Sequence, residues 1–407
     1  MKKFGLTLMV LAVSLALMTV VPFAMAKEKP VKYLKIGCNY GLTGVVAPAC
    51  IASKRSLELE VERINKKGGI VVGGQRYHIK LLFEDNGYTS EGSVAAATKL
   101  IDRENVKFIF NIGTPGLAQT SVTEPAKVLS FLSSSADQAL LNKKYSIRVY
   151  PLVQMNDIAL LEYISKNIPE VKRVCLLFKN DSSGILNSQI LPKLCAHYGM
   201  EFIGDELYSL TETDFYPLLA RMLPRKPDLI VTDVGTGAAL MAKQAIEKGY
   251  KGFFMGTTLG ADIAWNKIGD KVPDGRFLGP VVDPGSKAAP REIREMTKRY
   301  EEKYGKGAPL DIAYLYHNYL MLVVQAVKKA GTVDDTDKIR DVMVKNTWDL
   351  PWGKTRFVGK EVWGVDGQGI MPVFVSAWIG SKKKIKLLKV IPAEDVYPTF
   401  LKLFGKK

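Results

Sequence analysis

The chain has 407 residues, of which 47% are hydrophobic and 24% are charged, and its net charge at pH 7 is +16. This composition is typical of a globular protein with room for two domains, and it argues against a disordered, collagen-like or multi-span membrane protein. The one dense basic run, residues 382–386, lacks the interleaved aromatic residues of a base-stacking surface. We therefore interpret it as a solvated hairpin tip and expect no nucleic-acid partner.

The first 26 residues form a predicted export signal. Lys2 and Lys3 precede an apolar segment, residues 4–21, and the Ala-Met-Ala sequence at 24–26 fits a small-x-small cleavage site. We expect cleavage after Ala26, a periplasmic location and no stable membrane insertion afterwards. Loss of the two lysines would lower the net charge from +16 to +14. An uncleaved membrane anchor is the alternative.

After the signal, strand-like runs alternate with amphipathic helices. The first series has predicted strands at 33–38, 70–71, 77–83, 108–112 and 128–132, and predicted helices at 52–66, 91–104 and 117–126. A crossing segment at 147–151 leads to a second series, with helices at 155–167, 185–198, 214–223 and 238–248, and strands at 174–178, 201–205, 229–231 and 253–256. A second crossing at 279–285 precedes helices at 289–304, 311–330 and 334–345, and a hairpin of residues 371–379 and 385–390. Such alternation predicts an α/β fold with two doubly wound parallel-sheet lobes around a cleft.

Ligands of open α/β sheets bind at the carboxyl ends of the strands, so the loops that follow the strands are the candidate sites. Residues 113–116 and Ser133-Ser134-Ser135 place backbone N–H groups and hydroxyls where helices begin, which suits an anion. Asp233 and Thr258 follow two strands of the second series. Ordinary turn chemistry and helix capping are the alternative for each loop.

The four cysteines and three histidines show no catalytic or metal-binding spacing. The cysteines allow three disulfide pairings, and buried free thiols are the alternative. The histidines are scattered, no G-x-S-x-G motif occurs, and no nucleophile, base and orienting residue assemble in the sequence, so we expect neither an enzyme nor a cofactor. The cysteines are Cys38, Cys50, Cys175 and Cys195, and the histidines are His78, His197 and His317.

Several short motifs occur in a familiar order along nearly the whole mature chain. They are Gly41-Leu42-Thr43-Gly44, the Ile-Asn-Lys-Lys-Gly-Gly-Ile run at 64–70, Asp214-Phe215, Lys226-Pro227-Asp228, the Lys-Gln-Ala-Ile-Glu-Lys-Gly run at 243–249, and the helix at 316–331. Together they resemble the branched-chain amino-acid-binding protein family, the extracytoplasmic solute receptors of ABC importers.

The resemblance implies the type I periplasmic-binding fold, two lobes joined by a three-segment hinge. The N-terminal lobe would comprise residues 31–149 and 281–352, and the C-terminal lobe residues 150–280 and 353–407. It also implies a monomer that closes on a small solute without transforming it and presents it to an ABC permease. A ligand-sensing subunit of a signalling system is the main alternative, followed by an exported enzyme.

The resemblance also suggests which residues touch the solute. In the first lobe, two loops would hold a carboxylate or a similar polar head, and in the second lobe three loops would hold the rest. Tyr40 either lines the cleft or packs in the core. The expected ligand-binding residues are Tyr40, Gly113, Thr114, Pro115, Ser134, Ser135, Asp181, Ser183, Asp233 and Thr258.

Three of these positions depart from the family pattern. Thr258 stands where amino-acid-binding relatives commonly carry an acid for the substrate ammonium. Ser183 replaces a usual tyrosine, and Ala49 lies where an aromatic residue is common. Leucine and isoleucine are therefore disfavoured, unless Asp181 or Asp233 supplies the ammonium site. Otherwise the expected ligand is a carboxylate without an amino group, or an amide.

Overall fold

The computed structural model describes residues 31–44, 46–209, 211–233, 236–257, 271–284, 286–308 and 310–405. The predicted export signal and the predicted ligand residue Thr258 lie outside these ranges. The described chain forms an α/β fold with sheets of six, seven and three strands. The two large sheets are mainly parallel, as the alternation of strands and helices predicts.

The strands and helices occur in the expected order. The strands are β1 (Lys32–Tyr40), β2 (Ile70–Val72), β3 (Gln75–Asp85), β4 (Phe108–Asn111), β5 (Leu129–Phe131), β6 (Ser146–Ile147), β7 (Arg173–Lys179), β8 (Glu201–Tyr208), β9 (Leu229–Thr232), β10 (Phe253–Gly256), β11 (Phe277–Gly279), β12 (Trp348–Leu350), β13 (Gly353–Val358), β14 (Gln368–Ile370), β15 (Val373–Ile379) and β16 (Lys384–Ile391). The helices are α1 (Ala47–Lys66), α2 (Ser90–Asp102), α3 (Gly116–Thr123), α4 (Val153–Asn167), α5 (Ser182–His197), α6 (Tyr216–Met222), α7 (Thr236–Glu247), α8 (Arg291–Tyr304), α9 (Leu310–Ala330), α10 (Thr336–Lys345), α11 (Lys360–Trp363) and α12 (Ala393–Phe404).

The first lobe is the six-stranded sheet β1–β6 with helices α1–α3 and α8–α10. Its strand order is β2-β3-β1-β4-β5-β6, and all neighbours except β2 and β3 pair in parallel. The β2–β3 hairpin turns at Gly73 and Gly74, whose φ angles are 54° and 77°. The core of the first lobe joins distant parts of the chain. For example, the rings of Tyr40 in β1 and Tyr316 in α9 pack edge to face, with their centres 5.4 Å apart.

The second lobe is the seven-stranded sheet with helices α4–α7 and α12. Its order is β16-β15-β11-β10-β9-β7-β8, with β15 and β16 antiparallel at one edge. One apolar core lies under α4, α5 and α12, and a separate core lies under α6 and α7 on the other face. The sheet is therefore covered on both faces, as a doubly wound fold requires. Lysines along the exposed strand β16 protect this edge from pairing with another chain.

The chain crosses between the lobes at three places that lie side by side. A cavity of about 10 Å³ at this point is lined by Pro151 from the first crossing, Pro280 from the second, and Trp352 and Pro372 from the third. The small sheet β12-β13-β14 belongs to the third crossing. An isolated parallel bridge joins Arg148 to Gln368, so the first and third crossings are directly hydrogen-bonded.

Several elements differ from the sequence prediction. Helix α1 begins at Ala47 instead of residue 52, because Pro48 is accommodated in the first helical turn, where its missing N–H costs nothing. The small three-stranded sheet and helix α12 were not predicted. The sequence does indicate helix α12, since its buried residues Val396, Tyr397 and Phe400 have helical spacing.

All four cysteines are buried free thiols, so the structure selects this alternative over local disulfides. Burial raises the pKa of Cys50 to about 11 and that of Cys195 to about 12. Over the described ranges, no helix has the length and apolar character needed to cross a membrane.

Candidate functional site

A cavity of about 280 Å³ lies where loops of the two lobes meet. Its volume falls just below the ~300 Å³ at which pockets for drug-sized ligands begin, so it suits a smaller solute. Seven of its lining residues carry hydroxyl groups, whereas Lys179 and Asp181 supply its charged groups. The lining residues are Val46, Ala49, Cys50, Tyr88, Ile112, Gly113, Thr114, Ser133, Ser134, Ser135, Tyr150, Lys179, Asp181 and Ser183.

On the first-lobe side, the loops after β4 and β5 form the wall. The Gly113 N–H donates to Ser133 Oγ at 2.9 Å, and the Tyr316 hydroxyl, in helix α9, donates to the same oxygen at 2.8 Å. These bonds hold the two loops together. Helix α3 begins two residues after Thr114, so the positive end of its dipole lies beside the cavity. The wall therefore offers hydroxyls and a positive potential to an anionic group.

A buried arginine, Arg148, supports the loop after β5 from behind. This loop, residues 133–135, is called the serine loop below. Arg148 is 0% exposed, and its Nη1 donates to the carbonyl oxygens of Ser134 and Ala136 at 2.8 and 3.0 Å. Its Nε donates to Gln368 Oε1, and its guanidinium lies 4.9 Å from the centre of the Trp363 ring. Burial lowers the pKa of Arg148 to about 10, so it remains a cation at neutral pH. It joins the serine loop to the first and third crossings.

On the second-lobe side, Lys179 ends β7 and is ion-paired with two acids. Its Nζ lies 3.3 Å from Asp233 Oδ2 and 3.5 Å from Asp181 Oδ2. Asp181 Oδ1 caps helix α5 by accepting hydrogen bonds of 2.9 Å from the N–H groups of Ser183 and Gly184. Burial lowers the pKa of Lys179, but the charges of Asp233 and Asp181 outweigh it, and the net effect is a raised pKa. Lys179 is therefore a stable cation in the wall.

The aromatic side chain of Tyr88, which the sequence interpretation missed, covers the loop after β4. Tyr88 follows β3 in the left-handed region, with φ of 57°, which is rare for a bulky residue. Burial raises the pKa of its phenol, and a hydrogen bond with Thr114 opposes that shift. Such strained conformations often occur at binding sites. The signal in the sequence was the Asn86-Gly87-Tyr88 turn directly after a predicted strand.

Among the described residues, no group of three or more His, Cys, Asp or Glu side chains is placed to hold a metal ion. The charges and hydroxyls of the cavity instead suit noncovalent capture of a small polar molecule.

Comparison with known proteins assigns the chain to a family. A family model described as periplasmic binding protein matches residues 33–384. The chain belongs to the periplasmic binding protein family.

Curated relatives of this periplasmic binding protein include Leu/Ile/Val-binding protein homolog 7 of Brucella abortus. The two are 24% identical over 325 residues, which cover 74% of this chain and 78% of the relative.

Solved structures of the same fold include a leucine-binding protein from Thermotoga maritima, with a TM-score of 0.72, 20% identity, and coverage of 89% of this chain and 99% of that chain. Another is a solute-binding protein of an ABC transporter from Rhodopseudomonas palustris in complex with 3,4-dihydroxybenzoic acid, with a TM-score of 0.71, 20% identity, and coverage of 89% and 98%. These similarities establish the type I periplasmic-binding fold.

The structure brings most of the expected ligand residues of this binding protein together. Six of them line the cavity: Gly113, Thr114, Ser134, Ser135, Asp181 and Ser183. Asp233 is buried next to the cavity as a partner of Lys179, and Pro115 is the buried N-cap residue of α3. Thr258 lies outside the described residues.

Tyr40 requires a correction. It is 0% exposed and packs in the first-lobe core, where its hydroxyl lies 3.3 Å from Ser53 Oγ and its ring contacts Phe83. Of the two alternatives for Tyr40, the structure selects the packing role.

Proposed function

We propose that this binding protein captures a small solute with a carboxylate head in the cavity between its lobes and presents it to an ABC permease. The lobes would be those predicted from the sequence, residues 31–149 with 281–352 and residues 150–280 with 353–407. The observation that carries the proposal is that one cavity receives wall residues from both lobes, Thr114 and Ser135 from the first, and Lys179 and Ser183 from the second. A ligand that contacts both walls stabilises the closed arrangement by its differential affinity.

The first-lobe wall is the proposed site of the carboxylate head. Hydroxyls of Thr114, Ser134 and Ser135 lie beside the beginning of α3, and hydrogen bonds to a charged group contribute about 1.5–3 kcal/mol each. Arg148, behind the serine loop, adds a positive charge that also favours an anion. The solved relatives support this choice, because leucine and 3,4-dihydroxybenzoic acid share a carboxyl group.

A ligand screen tests the proposal. Thermal shift over amino acids, aliphatic and aromatic carboxylates and amides, followed by calorimetry, is expected to identify at least one carboxylate that binds. Thr114→Ala and Ser134→Ala should each weaken that binding about tenfold, the equivalent of 1.4 kcal/mol. Ser121→Ala removes an exposed hydroxyl of α3 whose bond is to its own helix, and serves as the matched control.

Two further measurements separate capture from catalysis, and transport from sensing. Mass spectrometry of the released solute should recover it unchanged, and turnover would instead identify an enzyme. The liganded protein should stimulate ATP hydrolysis by its reconstituted permease more than the unliganded protein does. If carboxylates do not bind, or if both hydroxyl variants bind normally, the proposed site is wrong.

A further inference from the structure

We infer that Lys179 makes this receptor select carboxylate solutes that lack an ammonium group. The inference rests on the proposed function, since it concerns the end of the solute that faces the second lobe. It decides between the alternatives left by the sequence, in which Asp181 or Asp233 could have replaced the missing acid at Thr258.

Both of those acids are engaged by the same lysine. Lys179 Nζ lies 3.3 Å from Asp233 and 3.5 Å from Asp181, and Asp181 also caps helix α5. Among the described lining residues, Asp181 supplies the only carboxylate and Lys179 the only cation. An ammonium group could pair with Asp181 only by competing with a neighbouring lysine and with a helix cap.

The arrangement of the three charges also matters, because together they carry a net charge of −1. The Asp233 side chain is only 8% exposed, whereas the side chains of Lys179 and Asp181 are 30% and 29% exposed. The Asp233 charge is therefore behind the wall, and Lys179 and Asp181 are presented to the cavity as an ion pair without net charge. A bound ammonium would lie close to a like charge in a partly desolvated site, which opposes binding.

With its carboxylate on the opposite wall, a small solute would turn the atoms next to that carboxylate toward Lys179 and Asp181. The proposed carboxylate site uses the loops at Thr114 and Ser134, and Tyr88 lines the same cavity as these loops and the second-lobe charges. Residues of both lobes line this one cavity, so the two walls face each other across it. An α-amino group next to a bound carboxylate would thus be close to Lys179 and without a free acid.

The experiment uses solutes that differ only in the α-amino group. The probe pairs are L-leucine with 4-methylpentanoate, and L-phenylalanine with 3-phenylpropanoate, each measured by calorimetry at pH 7. The wild-type protein is expected to bind the amino-free member of a pair at least tenfold more tightly. In Lys179→Met, Asp181 and Asp233 lose their cation, so the preference should fall at least tenfold or reverse.

Matched variants separate this effect from charge and folding. Lys166→Met removes an exposed lysine of α4 that pairs with Glu162, and should keep the wild-type preference. Lys179→Arg retains the cation and should keep it as well. Combining Lys179→Met with Asp233→Asn removes the buried negative charge that Lys179 balances, which guards against unfolding of the single variant, and should weaken the preference without reversing it.

The outcomes distinguish this inference from the proposed function. If the wild-type protein binds the amino acid of each pair as tightly as its amino-free partner, the inference is overturned and the proposed function stands. An unchanged preference in folded Lys179→Met also overturns it. If neither pair binds, the same comparison is made with the carboxylate that the screen identifies and its α-amino derivative, and if the screen identifies none, carboxylate capture is rejected together with the inference.

Discussion

The phenol of Tyr88 lies directly over Gly113, so that a Cβ atom built on Gly113 would come within 2.4 Å of the Tyr88 hydroxyl oxygen. Gly113 also has a φ of 82°, a conformation that side chains rarely adopt. Position 113 therefore requires glycine for two reasons, its backbone conformation and the close approach of the Tyr88 ring. This contact sets the distance between the Tyr88 ring and the loop after β4.

Gly113→Ala should therefore destabilise the protein and abolish solute binding. The left-handed backbone alone costs about 1–2 kcal/mol for alanine, and displacing Tyr88 adds to it. The control is Gly199→Ala, which has a φ of 69° and no neighbour within 4 Å of its Cβ, so it carries only the backbone cost. Urea denaturation and calorimetry measure both variants. Equal losses of stability, with binding retained in both, would show that Tyr88 does not constrain this loop.

Arg148→Met should lower the free energy of unfolding by about 2–4 kcal/mol, because two buried carbonyl groups lose their charged donor. The loop at Ser134 would lose its anchor, so solute affinity should also fall at least tenfold. Arg148→Lys should recover part of both losses, since it keeps the charge without the planar fork. Arg103→Met, at an exposed position after α2, is the control. Normal affinity in a folded Arg148→Met protein would contradict the anchoring role.

Glu60→Gln should destabilise the first lobe by about 2–3 kcal/mol at pH 7, because it leaves two arginines without a buried partner. Glu60 is 1% exposed, and its carboxylate pairs with Arg63 and, at 3.2 Å, with Arg299, while His317 lies 3.7 Å away. The control Glu62→Gln breaks only exposed pairs with Lys66 and Lys303, and should cost ~0–1 kcal/mol.

The difference between wild type and Glu60→Gln should depend on pH. Burial raises the pKa of Glu60, but the nearby His317 and the hydrogen-bonded Arg63 outweigh it and hold the pKa well below its ordinary value. The ionised carboxylate thus stabilises the fold above the unfolded pKa of about 4.3, and this stabilisation is lost as the pH falls below it. Urea denaturation between pH 7 and pH 3 should show the difference shrinking toward the acid end, and a constant difference would contradict this assignment.

The native thiols should resist labelling. Cys38, Cys50, Cys175 and Cys195 are all buried, and burial raises the pKa of each thiol, so the reactive thiolate is scarce. An aromatic disulfide reagent at pH 8 is expected to label none of them in the native protein and all four in guanidinium. Ser121→Cys, which places one thiol on an exposed helix face, provides the positive control. Fewer than four thiols after unfolding, without added reductant, would reveal a disulfide.

Much of the fold was predictable because it depends on local patterns. Apolar runs such as Leu229–Thr232, followed by amphipathic helices and glycine stops, predict parallel strands and their crossovers regardless of distant contacts. The small sheet at the third crossing was not predictable in the same way, since its strands are only three to six residues long and pair across a chain reversal. The expected ligand loops were identified because strand ends in such a fold share one edge of the sheet.

The sequence alone determined the two-lobed α/β architecture and the serine and threonine loops at its strand ends, because hydrophobic periodicity and turn chemistry act over short distances. Only the tertiary structure decided that Tyr40 is buried, that Tyr88 covers Gly113, and that Lys179 takes both Asp181 and Asp233 as partners. Whether a side chain faces a cavity or a core, and whether an acid is already paired, depends on residues far apart in the chain. The chemistry of the second-lobe wall is therefore a property of the assembled lobes rather than of any one segment.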